Sequence, residues 1–433
     1  MPSSKFTWMR LTLVLLMVIL AFSPFARVQS AAAQSSSPAV GIACTTSGSP
    51  SPTFNLVAQA GHIQMPDMNT MFMWSYSLGG GAFQHPGPVL CVNQGDTVTI
   101  VLQNQIPNYR STQVRTSIMF PGQENVLANG SPAQPDLANN SLTNSIAPGG
   151  SITYSFVANR PGTFIYESGT DTKMQIGMGL FGALVVRPNN GANFVYNRSD
   201  SRFTGTEEFM ALLSEIDPYQ HQAVESNKTF NMNNYRPRYW MINGRGFPDS
   251  IADNFAPWLP SQPYGALARI YPYDPANHTY PAVERFINVG TEEYPFHPHG
   301  NNGLLIGRDG YPLEDAGQDL SMEKFSFNIG PGQTWDVSFK WYDAEGYNET
   351  TNPVPVDPLP DLVNLILGMF YSGSPYLGKT ETLPPGQNTL NQCGEYYIIS
   401  HNHALFQLDA FGQTMSGPIT YLRVDPPQPN SCP

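Results

Sequence analysis

Proline and glycine punctuate this chain so densely, at 40 and 38 of its 433 residues, that little room is left for a long uninterrupted element. Only 12% of the residues are charged, and this scarcity of Lys and Glu argues against helical bundles. No helical period runs long enough to build a domain. Short apolar stretches bounded by turn residues recur instead, the pattern of many short strands joined by turns. The fold class read from this is all-β.

In chain order, Lys5 and Arg10 precede the apolar run Leu11 to Phe22 and the small residues Ala31-Ala-Ala33. This reads as a secretory signal, residues 1–33, cleaved near Ala33. The run is short for a membrane span and ends at Ser23-Pro24, so no membrane anchor is expected. The localisation read from it is secreted, periplasmic or extracellular. Residues 34–52, rich in Ser, Ala and Pro, read as a flexible leader. A first sandwich domain is expected over 53–190. It includes Val89 to Gln103, read as strand, turn at Asn93-Gln-Gly-Asp96, strand. A polar linker covers 191–205 and a second domain 206–433. Residues 345–392 form a long Pro-rich stretch, and so long a loop usually has a function.

Removing Lys5, Arg10 and Arg27 with the signal leaves 18 basic against 33 acidic residues, a net charge of −15. That argues against nucleic acid and anionic membrane as partners. Four cysteines in a secreted chain suggest two disulfides. Three pairings are open, and Cys44–Cys91 with Cys393–Cys432 is preferred because each pair then stays within one domain. Met65, Met68, Met71 and Met73 could supply soft sulfur to Cu(I), but core or edge packing is the simpler reading.

The chemistry concentrates in Tyr294-Pro-Phe-His-Pro-His-Gly300 and Ser400-His-Asn-His403. Eight histidines scattered at random over 433 residues give about 0.15 His-x-His pairs, so two pairs are a signal. Residues i and i+2 of a strand share one face. Two such strands could cage a metal ion through His297, His299, His401 and His403, and neutral imidazole suits copper or zinc. The alternative is two pairs of surface histidines. His62, His85, His221 and His278 are isolated and read as surface or turn residues.

These motifs resemble those of the multicopper oxidases. Pro295-Phe-His-Pro-His-Gly300 is similar to that family's His-Pro-x-His-x-His-Gly, and His401-Asn-His403 to its His-Cys-His. Pro86 to Val98 resembles its opening strand pair. Pro161-Gly-Thr-Phe-Ile-Tyr-Glu-Ser-Gly169 and Gly179-Leu-Phe-Gly182 resemble its Pro-Gly-Thr-x-x-Tyr-His-Ser-His and Gly-Leu-x-Gly. The resemblance implies two tandem cupredoxin-like Greek-key β-sandwich domains. It also implies what is missing. The blue-copper thiolate position is Asn402, and the two blue-site histidine positions are Tyr294 and Gln407. An amide or a phenol does not replace a copper–thiolate bond, so no blue copper is expected. His297, His299, His401 and His403 match four of the eight ligands of the family's three-copper cluster. In the first domain Met119 and Pro121 stand where histidines belong, and the His-Ser-His strand reads Glu167-Ser-Gly169. Glu167 thus becomes a candidate oxygen ligand, or an acceptor that fixes an imidazole N–H. Its plain alternative is a strand end facing solvent.

The function expected is a secreted copper-dependent oxidoreductase with a reduced histidine site, taking a small-molecule substrate or oxygen. The alternatives are a non-catalytic extracellular copper-binding or structural protein, and zinc in place of copper. Two-domain relatives assemble as trimers, so a homo-oligomer stays open, although the missing first-domain histidines weaken the motive for it.

Overall fold

The computed structural model describes residues 39–299, 302–342 and 396–425. The expected signal, the Pro-rich stretch and the Cys393–Cys432 pair lie outside the described residues.

The first sandwich comprises β1 (Thr53–Gln64), β2 (Thr70–Leu78), β3 (Leu90–Asn93), β4 (Thr97–Asn104), β5 (Ser151–Val157), β6 (Gly162–Glu167) and β7 (Phe181–Arg187). One sheet runs β2-β1-β4-β5 and is extended by a short hairpin, Leu127–Ala128 with Ser131–Pro132; the other is β3-β7-β6. Strict alternation builds the core. Val98, Ile100 and Leu102 of β4 and Ile152, Tyr154 and Phe156 of β5 point inward, while the residues between them are more exposed. The expected strands around Asn93–Asp96 are present, but they do not pair with each other. β3 joins one sheet and β4 the other, so the turn is a corner between sheets. Asp96 holds that corner by accepting from Asn93 N at 2.8 Å, and Gly95 supplies the φ of +90°.

β6 and β7 are buried along almost their whole length on both faces. One face lies in the first core. The other packs Ile165, Phe181, Ala183 and Val185 against Met210, Leu212, Ile287 and Val289 of the second sandwich. Their unbroken apolar runs follow from that double burial.

The second sandwich comprises β8 (Glu208–Ile216), β9 (Tyr239–Ile242), β10 (Ala268–Ile270), β11 (Ala282–Asn288), β12 (Tyr294–Pro298), β13 (Gly303–Arg308), β14 (Phe327–Ile329), β15 (Thr334–Phe339), β16 (Tyr396–Asn402) and β17 (Ile419–Val424). One sheet runs β9-β8-β11-β15-β13, with short strands added beyond β13, and the other runs β10-β17-β16-β12-β14. The fold is therefore all-β, two cupredoxin-like sandwiches. The helix α1 (Pro218–Glu225) starts where Asp217 accepts from Tyr219 N at 2.9 Å and Pro218 fills the first turn.

Three features depart from the sequence expectation or extend it. The leader is fixed from residue 39 onward. Ala39 O accepts from Asn254 N at 2.7 Å, Ile42 N donates to Glu208 O at 2.8 Å, and Cys44 is bonded to Cys91 as expected, with Cα atoms 5.5 Å apart. The polar linker also packs, through Val195, Tyr196 and Phe203 against Val283 and Ile306. Finally, a buried ion cluster joins the sandwiches. Glu208 meets Arg187 at 2.5 Å and Arg285 at 2.6 Å, while Arg285 reaches Asp336 at 3.2 Å. Asp336 also accepts from Thr163 Oγ1 at 2.5 Å and from the Tyr196 hydroxyl at 2.6 Å. Burial works against the Glu208 charge, and the two guanidinium groups outweigh it, holding the carboxyl below its usual range.

Candidate metal centre

β12 and β16 are antiparallel neighbours, and His297 lies directly opposite His401. His299 N donates to Ile399 O at 2.9 Å, and His403 N to Pro295 O at 2.7 Å, which carries the ladder past both strand ends. Period two then sets all four imidazoles on one face, while Phe296 and Asn402 point into the sandwich and are fully buried. Ring centroids lie 4.9 Å apart for His297–His299, 5.0 Å for His299–His401, 5.3 Å for His297–His403 and 5.7 Å for His401–His403.

The ring nitrogens are oriented from behind. Phe325 O lies 2.6 Å from His297 Nδ1, and Asn402 O lies 2.8 Å from His401 Nδ1. A carbonyl only accepts, so each Nδ1 carries the proton and each Nε2 keeps its lone pair, the arrangement found in metal-ligating histidines. His299 Nε2 and His401 Nε2 face each other at 3.0 Å. Two imidazole nitrogens bonded to one ion at about 2.0–2.1 Å each take a spacing of that order. Burial, followed by the neighbouring imidazoles, lowers the pKa of His299; burial also lowers that of His401, outweighing the bond to Asn402 O. Both rings are therefore biased toward the neutral form that binds metal. Among the described residues no group of three or more His, Cys, Asp or Glu side chains is gathered so as to hold an ion as it stands. The residues fit a metal through the His299–His401 pair, with His297 and His403 beside it.

Glu167 ends β6 in the first sandwich, with its backbone paired to Met119 in both directions, at 2.7 and 3.1 Å. Burial pushes its carboxyl up to about 7. Among the described residues no hydrogen bond or ion pair joins it to the four histidines. The chain brings the histidines together but does not bring Glu167 to them.

The three blue-site positions are filled by residues of two buried sets of hydrogen bonds. The Tyr294 hydroxyl donates to Glu215 Oε2 at 2.6 Å, and Thr291 N and Oγ1 donate to Glu215 Oε1 at 2.5 and 2.8 Å. The Asn402 amide donates to Gln407 Oε1, and Gln407 Nε2 donates to Glu292 at 2.7 Å. Trp240 Nε1 also donates to Glu292, at 2.8 Å. Sequence reading missed Glu215 and Glu292. The available signal was an acid inside the apolar run Phe209–Glu215, which is expensive to bury without partners.

Two of the isolated histidines need correction. His85 and His221 are fully buried. His221, on α1, sits between Phe72 O at 2.5 Å and Gly177 O at 3.0 Å. Burial, with His221 nearby, holds the His85 pKa down at about 3. His62 and His278 do pair at the surface or in a turn, with Glu225 at 2.8 Å and Glu207 at 3.1 Å. Of the four methionines, Met65, Met71 and Met73 are core residues, and Met68 is exposed.

A multicopper oxidase family model matches residues 80–191. The L-ascorbate oxidase of Cucumis sativus is 31% identical over 180 residues, which are 40% of this chain and 27% of that enzyme. The chain thus spans about a quarter of the length of the curated relatives it matches. Among solved structures, the blue copper oxidase from Nitrosomonas europaea matches with a TM-score of 0.56 and 17% identity, over 87% of this chain and 86% of that one. The multicopper oxidase mgLAC matches at 0.56 and 18%, over the same shares. At such identities the structures speak for the fold alone. With the sandwich fold and the two histidine strands, these matches support a divergent member of the multicopper oxidase family.

Proposed function

We propose that this chain is a secreted copper protein of oxidoreductase type, whose metal is held by His297, His299, His401 and His403 without a blue copper centre. The observation that carries the reading is the pair of Nε2 atoms facing each other at 3.0 Å, with the Nδ1 of His401 turned to a backbone carbonyl. Bound copper supplies one-electron chemistry and Lewis acidity toward oxygen or a small substrate. Both solved structures described above are named as copper oxidases, which supports copper over zinc. The residues contribute neutral, pre-oriented imidazoles. With a phenol and two amides at the blue-site positions, electrons enter from a substrate bound beside the histidines.

His403, Phe325, Leu405 and Phe406 are exposed around these strands. An apolar rim of this kind supports a homo-oligomer in which a second copy covers the site. Glu167 stays a candidate ligand on that basis, offered from the first sandwich of one copy to the histidines of another. The second reading is copper binding without turnover, favoured by the hydrogen bonds that tie Tyr294 to Glu215 and Gln407 to Asn402 and Glu292.

His401→Ala should lower copper affinity at least tenfold while leaving the fold intact by circular dichroism. Undiminished copper in the variant would move the site elsewhere. Oxygen consumption by the loaded protein with phenols or reductants separates the two readings. No helix among the described residues is long and apolar enough to cross a membrane.

A further inference from the structure

A cavity of about 290 Å³ lies in the first sandwich, and none of the four histidines lines it. Its walls come from four segments: Trp74 on β2, the loop from Tyr109 to Arg115 after β4, the pair Asn139 and Asn140, and the stretch from Thr170 to Gln175. The volume falls at the lower end of the range for small-molecule sites. Asp171 N donates to Asn140 O at 2.9 Å, and the two residues hold φ of +40° and +51°. Asn and Asp adopt this left-handed region more readily than other non-glycine residues, and here it shapes the backbone of the wall.

The wall chemistry selects the ligand class. Arg115 donates from Nε to Ser145 Oγ at 2.9 Å and from one terminal nitrogen to Ser145 O at 2.6 Å, and Asp136 lies 4.0 Å away. Its charge is therefore shared, and its other terminal nitrogen is left for a ligand. Asp171 lines the same cavity and is half-buried, so an anion meets negative as well as positive charge. The side chains of Asp171, Asn140 and Gln113 make no hydrogen bond to another described residue. An apolar ligand would leave these groups desolvated and unpaired. Hydroxyl groups both donate and accept, and so can pair with the guanidinium, the carboxyl and the amides alike. Tyr109 and Met174 add apolar surface to the same wall.

We propose that this cavity binds a small neutral polyhydroxylated molecule of monosaccharide size, held by Arg115, Asn140 and Asp171. The proposal is independent of the copper reading. The test is saturation-transfer difference NMR on the full chain with D-glucose, D-galactose, D-mannose and D-xylose separately, and with benzoate and inorganic phosphate as anionic arms. The expected result is transfer to at least one sugar and to neither anion. Asp171→Asn and Arg115→Met should weaken that signal at least tenfold with an unchanged melting temperature. If either variant fails to fold, the exposed Gln113→Ala and Asn140→Ala should still weaken it. Absence of transfer to every sugar, a sugar signal unmoved by the variants that fold, or preferential binding of benzoate or phosphate would each overturn the proposal.

Discussion

Glu284 lines an apolar cleft between the two sheets of the second sandwich, with Phe286, Phe327, Val337 and Leu422 around it. Burial alone pushes its carboxyl up to about 8 from 4.5. The folded state therefore holds this proton where the unfolded chain has released it. Stability from this group is complete below pH 4.5 and is lost as pH rises toward 8. Glu284→Gln should flatten that loss. Melting temperatures at pH 5 and pH 8 should differ less in the variant than in the parent, and an equal difference would refute the assignment. At this scale the sequence was partly legible. His297, His299, His401 and His403 stand out because i, i+2 spacing in a strand has one geometric meaning. His85 and His221 do not, because their burial comes from loops and a helix packed across the sandwich interface. Glu284 was missed because an acid beside an apolar strand looks the same whether it faces solvent or a cleft.

β12 and β16 show how strand register makes a site from two dipeptide repeats: pairing His297 with His401 aligns all four rings. Either strand slipped by one residue would turn its pair into the core. At the positions where the resemblance would place a blue site, Tyr294 bonds to Glu215 and Asn402 to Gln407. Strand existence was readable from alternation and from Pro and Gly punctuation. The corner at Asn93–Asp96 was not, because a turn motif does not say whether its flanking strands pair or part. The fixing of residues 39–52 was also hidden, although Cys44 implied it. Cys44–Cys91 closes a loop of sequence separation 47. Replacing both cysteines by alanine should cost about 2–4 kcal/mol, read from urea denaturation of parent and variant. A change below about 0.5 kcal/mol would mean that the strap contributes only through its packing.

The whole molecule depends on the contact between the sandwiches, where β6 and β7 are buried on both sides and Arg285, Glu208 and Asp336 form a charged centre. Taking one partner from a buried ion network leaves the others exposed to the low-dielectric interior. Arg285→Met should therefore destabilise the protein by about 3–5 kcal/mol, measured by denaturant unfolding with probes in each sandwich. Two separated transitions in the variant are the expected form if this cluster couples the sandwiches. The central claim is a copper centre on His297, His299, His401 and His403 with no blue copper. The most direct measurement is copper analysis with electron paramagnetic resonance and visible absorption on loaded parent and quadruple-alanine protein. The account predicts a weakly coloured parent with an imidazole-bound copper signal, and its loss in the variant. An intense blue band from the parent, or equal copper in both proteins, would contradict it.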